Sequence, residues 1–242
     1  SAYKALENPN VETRFLAFQA LKKMGSRADA VLEKSFYTNE NPRFRARAFW
    51  VLNQGPRSNE FIQKAYEQSN PSLKMMAIRA AKQKPFAEWA SLATKAAKDQ
   101  HASVRRELAI ALRHLSGDEV NKLWAILAMR HNGQDRWYLE ALGIGADGNW
   151  DERFEAYMTL KPENSKGYAD MVWRARTEKA LPALIDIIGN TKSLAYFRAL
   201  DFMPGEKKSE ALFGLINGKF ASDITLQIEA VRHVKPDYIA SQ

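Results

Sequence analysis

The sequence predicts an all-α chain, a right-handed α-α solenoid of about eight helix pairs. Three observations predict it: a repeat of about 30 residues opened by Asn-Pro, an Ala-rich amphipathic run after each opening, and no segment of period-2 alternation to compete with the helical pattern.

The openings are Asn8-Pro9-Asn10-Val11, Asn41-Pro42-Arg43-Phe44 and Asn70-Pro71-Ser72-Leu73, and Gln100-His101-Ala102-Ser103-Val104 aligns with them without the proline. The steps are 33 residues (8 to 41), 29 (41 to 70) and 31 (70 to 101). Asn is a good N-cap and Pro is tolerated in the first helical turn, so each pair marks where a helix begins. The helices that follow carry FLAFQAL at 15–21, ARAFWVL at 46–52, MAIRAAK at 76–82 and LAIALRHL at 108–115, whose alanines let a neighbouring helix approach closely. A second helical pattern separates them, at 29–37, 60–68, 86–97 and 120–129, which gives two antiparallel helices per unit.

Past Arg130 the repeat continues irregularly, with helix-like runs at 135–143, 151–160, 167–176, 178–188, 193–202, 206–217 and 223–234. The joints GIGADGN at 143–149, KPENS at 161–165 and MPG at 203–205 read as turns. The whole chain, 1–242, is therefore expected to form a single repeat domain, regular over 1–130 and irregular over 131–242.

Asp99-Gln100-His101-Ala102-Ser103-Val104-Arg105, followed by Leu108, Ala109 and Ala111-Leu112, resembles the HEAT unit with its loop aspartate, Val-Arg pair and Ala-Leu second helix. Arg45 and Lys74 fall at the Arg105 position, Glu12 replaces it in the first unit, and only Asp99 is acidic at the aspartate position. The resemblance implies a HEAT-like α-α superhelix in which these side chains form a structural ladder and second helices line the concave surface. Arg45, Lys74 and Arg105 then have two readings: ladder pairing and helix-end bonding, or, with Arg14, Arg47, Arg79 and Arg113, a face turned to a ligand.

A second resemblance covers DRWYLEALGIGADGNWDERFEAYM at 135–158 and MVWRARTEKALPAL at 171–184. These stretches are similar to the helical-repeat region of membrane-bound dehydrogenases of the planctomycete and verrucomicrobium type. There such a region lies between a β-propeller and a cytochrome c domain with a CxxCH haem site. The resemblance implies an exported, periplasmic or cell-envelope protein in which this segment spaces or docks the redox domains. Haem c would belong to another part of the parent chain, because this one has no cysteine. The ends fit that reading: only Ser1 to Leu6 stand where a first helix is expected, and His233-Val234-Lys235-Pro236-Asp237 looks like the entry to a further element, so the chain reads as a piece of a longer one.

With 36 Lys and Arg against 28 Asp and Glu, the net charge of +8 admits an acidic partner, but the cations are dispersed in the manner of a solvated helical surface. The absence of cysteine removes disulfides, thiol nucleophiles and thiolate metal sites together. No apolar run reaches the length of a spanning helix and the first residues do not resemble a signal peptide, so no membrane insertion is expected of this segment. His101, His114, His131 and His233 lie in four different units without metal-ligand spacing, and Gly143, Gly145 and Gly148 make no phosphate loop. Carboxylates gather at Asp135, Glu140, Asp147, Asp151 and Glu152, where helix capping is their ordinary work. No catalytic, metal or cofactor residue is assigned.

The six tryptophans fall at helical positions and read as core packing, with one group set apart. Trp137, Tyr138 and Trp173 accompany Arg136, Arg174 and Arg176, the aromatic and arginine mixture favoured in binding hot spots, which reads equally as a brace between repeats or a docking site. The expected function is thus a non-catalytic interaction and spacer scaffold that binds a protein or neighbouring domains of its own chain. The alternative is a basic HEAT-like nucleic-acid enzyme of the alkylpurine DNA glycosylase kind, which would need a basic track and a carboxylate beside an extruded base.

Overall fold

The computed structural model describes residues 1–163, 165–203 and 207–241, and within them every regular element is helical. In chain order the α-helices are α1 (Ala2–Ala5), α2 (Val11–Met24), α3 (Asp29–Thr38), α4 (Pro42–Leu52), α5 (Ser58–Tyr66), α6 (Pro71–Ala81), α7 (Phe86–Ala97) and α8 (Ala102–Ala111). They continue as α9 (Asp118–Ala128), α10 (Arg136–Ala146), α11 (Trp150–Thr159), α12 (Lys166–Arg174), α13 (Leu181–Thr191), α14 (Lys207–Asn217), α15 (Ile224–Arg232) and α16 (Pro236–Ala240). The fold is an all-α, HEAT-like array of helix pairs, distributed over two compact units, Ser1–Leu108 and Ala109–Gln242.

In the first unit α3 packs on α4 and α5 on α6. The Asn signals act as the sequence predicts: the Asn10, Asn41 and Asn70 side chains accept from the backbone N–H of Thr13, Arg43 and Ser72, and Pro42 and Pro71 occupy the first turns. Ala65, Ala77, Ala80, Ala81, Ala93, Ala96 and Ala97 are fully buried, so helix backbones approach where a larger side chain would hold them apart. Phe36, Phe49 and Phe61 fill the remaining volume.

One register differs from the sequence reading. The cap of α2 is Asn10 rather than Asn8, so the steps between cap positions run 31 residues (10 to 41), 29 (41 to 70) and 31 (70 to 101). Four residues after the cap come Arg14, Arg45, Lys74 and Arg105; Glu12 is not the counterpart of Arg105, and Arg14 is. Asn8 accepts from the Asn10 N–H as Asn39 does from Asn41 and Asp99 from His101, which makes Asn8 and Asn39 the equivalents of the loop aspartate.

In the second unit α9 packs on α11 and α14 on α15, around Trp124, Phe154, Phe197 and Phe220. One joint and one helical run differ from their sequence readings. Residues 143–146 are the last turn of α10, and the turn is confined to 147–149, where Gly148 takes a φ of +78°. Residues 194–202 form a 3-10 helix, Leu194–Phe202. Of the other two joints, 164, 204 and 205 lie outside the described residues, as does 206 at the head of the 206–217 run.

Candidate functional site

The basic row four residues into the second helices is held close to the protein. Arg14 Nη1 donates to the Asn8 and Pro9 carbonyls at 2.9 and 2.6 Å, Arg45 Nε to the Phe36 carbonyl at 2.7 Å, and Arg105 Nη1 to the Asp99 and Gln100 carbonyls at 2.6 and 2.9 Å. Those acceptors are the ends and loops left unsatisfied between helices. Lys74 instead reaches forward to Asp99 at 2.7 Å and sits over the Tyr66 ring. Arg79 and Arg113 are paired with Glu107 and Asp147, while Arg47 donates to the Leu6 carbonyl. In this geometry Arg45, Lys74 and Arg105 do helix-end and inter-repeat bonding.

Buried Asp99 accepts from Lys74 Nζ, the Tyr66 hydroxyl and the His101 N–H. Desolvation alone would raise its pKa; the Lys74 and His101 hydrogen bonds, the Lys74 charge and the Tyr66 hydroxyl outweigh it, and the net shift is downward. A depressed folded pKa means stability that is present above the unfolded value and lost as pH falls through the folded one. The first unit is expected to lose stability as pH drops below about 4, and Asp99→Asn to flatten that part of the curve. Unfolding midpoints at stepped pH check this, and an unchanged slope in Asp99→Asn would count against it.

The aromatic and arginine group of the second unit divides in two. On one side, Arg136 lies 5.2 Å from the centre of the Trp173 ring and is paired with Glu140 at 2.6 Å. Trp173 Nε1 donates to the Ala195 carbonyl at 3.2 Å. Arg136 and Trp173 line a cleft of about 440 Å³ together with Lys166, Asp170, Tyr196 and Arg198. Trp137, in the first turn of α10, leaves 75% of its surface in solvent. A ring so exposed contributes little to folding and offers a large anchor to a partner.

One lining residue of this cleft, Asp170, is held from the protein interior. Tyr138 is buried, donates its hydroxyl to the Leu127 carbonyl at 2.9 Å, and stacks on His131 with rings 5° from parallel. His131 Nε2 in turn meets Asp170 Oδ2 at 3.1 Å, so the carboxylate that partly offsets the cleft's cations is oriented from behind. Tyr138 is therefore a brace and not a docking side chain.

Arg174 and Arg176 turn to another surface, a cleft of about 750 Å³ between the 147–149 turn and the start of α11. Arg174 pairs with Glu140 at 3.0 Å, and the absence of a Cβ on Gly143 makes room for its guanidinium. Arg176 bends back to the carbonyls of Trp173, Arg174 and Ala175 with its guanidinium 4.0 Å from the centre of the Phe202 ring. Burial, then the Arg174 charge, lowers its pKa. Both tie the α12 end to neighbouring segments. Lys166, Asp170, Tyr196 and Arg198 escape sequence reading; the signal for them is their recurrence near the starts of successive second helices, visible only once Leu194–Phe202 is known to follow α13 as one.

Among the described residues no group of three or more His, Asp or Glu is placed to hold a metal ion, and no helix is long and apolar enough to cross a membrane. No family model and no curated protein matches the chain. Among solved structures, the X-ray structure of Escherichia coli YibA is similar to it at 16% sequence identity and a TM-score of 0.49, over 97% of this chain and 91% of that one.

Proposed function

We propose that the chain is a non-catalytic docking and spacing scaffold of a larger exported redox protein, and that it holds a neighbouring domain or partner protein against the Trp137 and Trp173 face of its second unit. The observation that carries this reading is the exposed Trp137, next in the chain to an Arg136 that lies over Trp173, at a cleft that also gathers Lys166, Arg198 and Asp170. Exposed tryptophans rimmed by arginine are the side chains from which interfaces draw most of their binding energy. The redox context rests on the similarity of 135–158 and 171–184 to the repeat region of the envelope dehydrogenases, in which haem and substrate belong to other domains. The nucleic-acid reading would draw on Arg79 and Arg113, which are paired with Glu107 and Asp147.

The test is a photo-crosslinking residue at position 137 of the parent protein in its own cells. Crosslinks to another domain of the same chain or to an envelope protein, lost when Trp173→Ala and Arg136→Ala are added, are the expected result. Crosslinks to nucleic acid, or protein crosslinks unchanged by those substitutions, would overturn the proposal.

A further inference from the structure

A groove in the first unit has the composition of an interface. α2 contributes Val11, Phe15 and Phe18 and α4 contributes Arg43, Arg47 and Trp50, each set at i, i+4, i+7, the spacing of one helical face. Leu6, Val11, Phe15, Phe18 and Trp50 floor a cavity of about 270 Å³ whose charged walls are Arg14 and Arg47. Val11 is 64% exposed and Phe15 55%, where a folding core would have drawn both inward.

The charge at this groove is of one sign. Arg14 and Arg47 donate to backbone carbonyls, and among the described residues neither they nor Arg43 forms an ion pair with a carboxylate. Besides its partial burial, the charges of Arg14 and Arg43 push the pKa of Arg47 down, so each stands close enough to Arg47 to repel it. Glu7 opposes them, and its carboxylate is already engaged by the Asn39 amide. An apolar floor between two helices, about two turns long and rimmed by mutually repelling cations, complements an apolar helical stripe flanked by carboxylates.

We infer that the α2–α4 groove docks an acidic amphipathic helix of a partner protein. The docked helix lays its i, i+4, i+7 apolar residues along Val11, Phe15 and Phe18 and places carboxylates against Arg14, Arg43 and Arg47. The inference concerns the first unit alone and stands or falls without the Trp137 face.

Two synthetic helical peptides of about 14 residues, with the same leucine stripe and flanked by glutamates in one and lysines in the other, are the probes, titrated by fluorescence anisotropy against the intact chain. The glutamate peptide is expected to bind at least about tenfold more tightly than its lysine twin, with the gap narrowing as salt rises. Phe15→Ser and Arg47→Gln are each expected to weaken it by about fivefold or more. Phe15 is solvent-exposed, so its variant keeps the helical circular dichroism of the parent, which guards against a folding defect. Equal affinity for the two peptides, no binding by either, or indifference to Phe15→Ser would overturn the inference. So would a concentration-dependent dimer dispersed by Phe15→Ser, because a second copy would then be the occupant.

Discussion

Arg153→Ala is expected to destabilise the Ala109–Gln242 unit by about 3–5 kcal/mol. Arg153 has 0% exposure, and its Nη2 donates to the Leu112 and Leu115 carbonyls at 2.7 and 2.8 Å, beyond the last turn of α8. Among the described residues its Nε and Nη1 find no hydrogen-bond partner. Burial pushes its pKa down to about 10, against the pull of the Glu152 charge, so it remains a cation at neutral pH. Alanine would leave a void, strip one of the two donors from the Leu112 carbonyl, which keeps the Leu115 N–H, and remove the side-chain donor of the part-buried Leu115 carbonyl. Arg153→Met separates the terms. It keeps most of the volume and discards the charge, so it is expected to cost less, about 1–3 kcal/mol. Urea unfolding followed by tryptophan fluorescence measures both; a loss under 1 kcal/mol in the alanine variant would mean that the carbonyls find other donors.

Gly145→Ala is the second large effect, and its sign is the opposite of what helix propensity alone implies. In an open helix the change would stabilise by about 1 kcal/mol. Here a Cβ would stand 2.3 Å from the Ala109 carbonyl oxygen and 3.0 Å from its carbon, and backbone cannot swing aside as a side-chain tip can. Overpacking of this kind costs about 3 kcal/mol, leaving a net loss of about 2 kcal/mol. Gly214, in α14, is the control: a Cβ there meets nothing within 4 Å, and Gly214→Ala is expected to raise stability by about 0.5–1 kcal/mol. If both substitutions moved the unfolding midpoint in the same direction, the close approach of α10 to residue 109 would not be what places glycine at 145.

The same glycine explains where sequence reasoning fails. Helix starts are legible because a cap is a local event: Asn and Pro at adjacent positions satisfy or remove orphan N–H groups within one turn, so Asn41 and Asn70 announce themselves. The Ala-rich faces are legible for the same reason, their period matching the helix that buries them. Gly143 and Gly145 look like a turn because the sequence does not contain the Arg174 guanidinium and the Ala109 carbonyl that require them. Arg153 is invisible for a related reason, since its acceptors are backbone oxygens that any residue supplies.

The candidate site was half legible. Arg136, Trp137 and Trp173 declare themselves by residue type, but Tyr138, Arg174 and Arg176 carry the same signature and are committed to the fold. What separates them is direction. Trp137 and Tyr138 are adjacent in α10 and therefore point about 100° apart, one to solvent and one to the Leu127 carbonyl. The small shift from Asn8 to Asn10 at the first cap likewise decides whether Glu12 or Arg14 joins the basic row, because two residues of slip exchange one helix face for another.

The lone lysine of that row constrains how the chain can drift over generations. Arg14, Arg45 and Arg105 grip backbone carbonyls, acceptors that no point mutation removes. Lys74 grips a side chain, Asp99, in the next loop, and Asp99 depends on it in return. A lineage cannot lose either member alone without leaving a half-buried charge unmatched. Arginine at 74, with a fork long enough to reach a loop carbonyl, is the step that would release Asp99 to become the asparagine already found at 8 and 39. Geometry thus ties the two positions together: a change at either alters what the other must be.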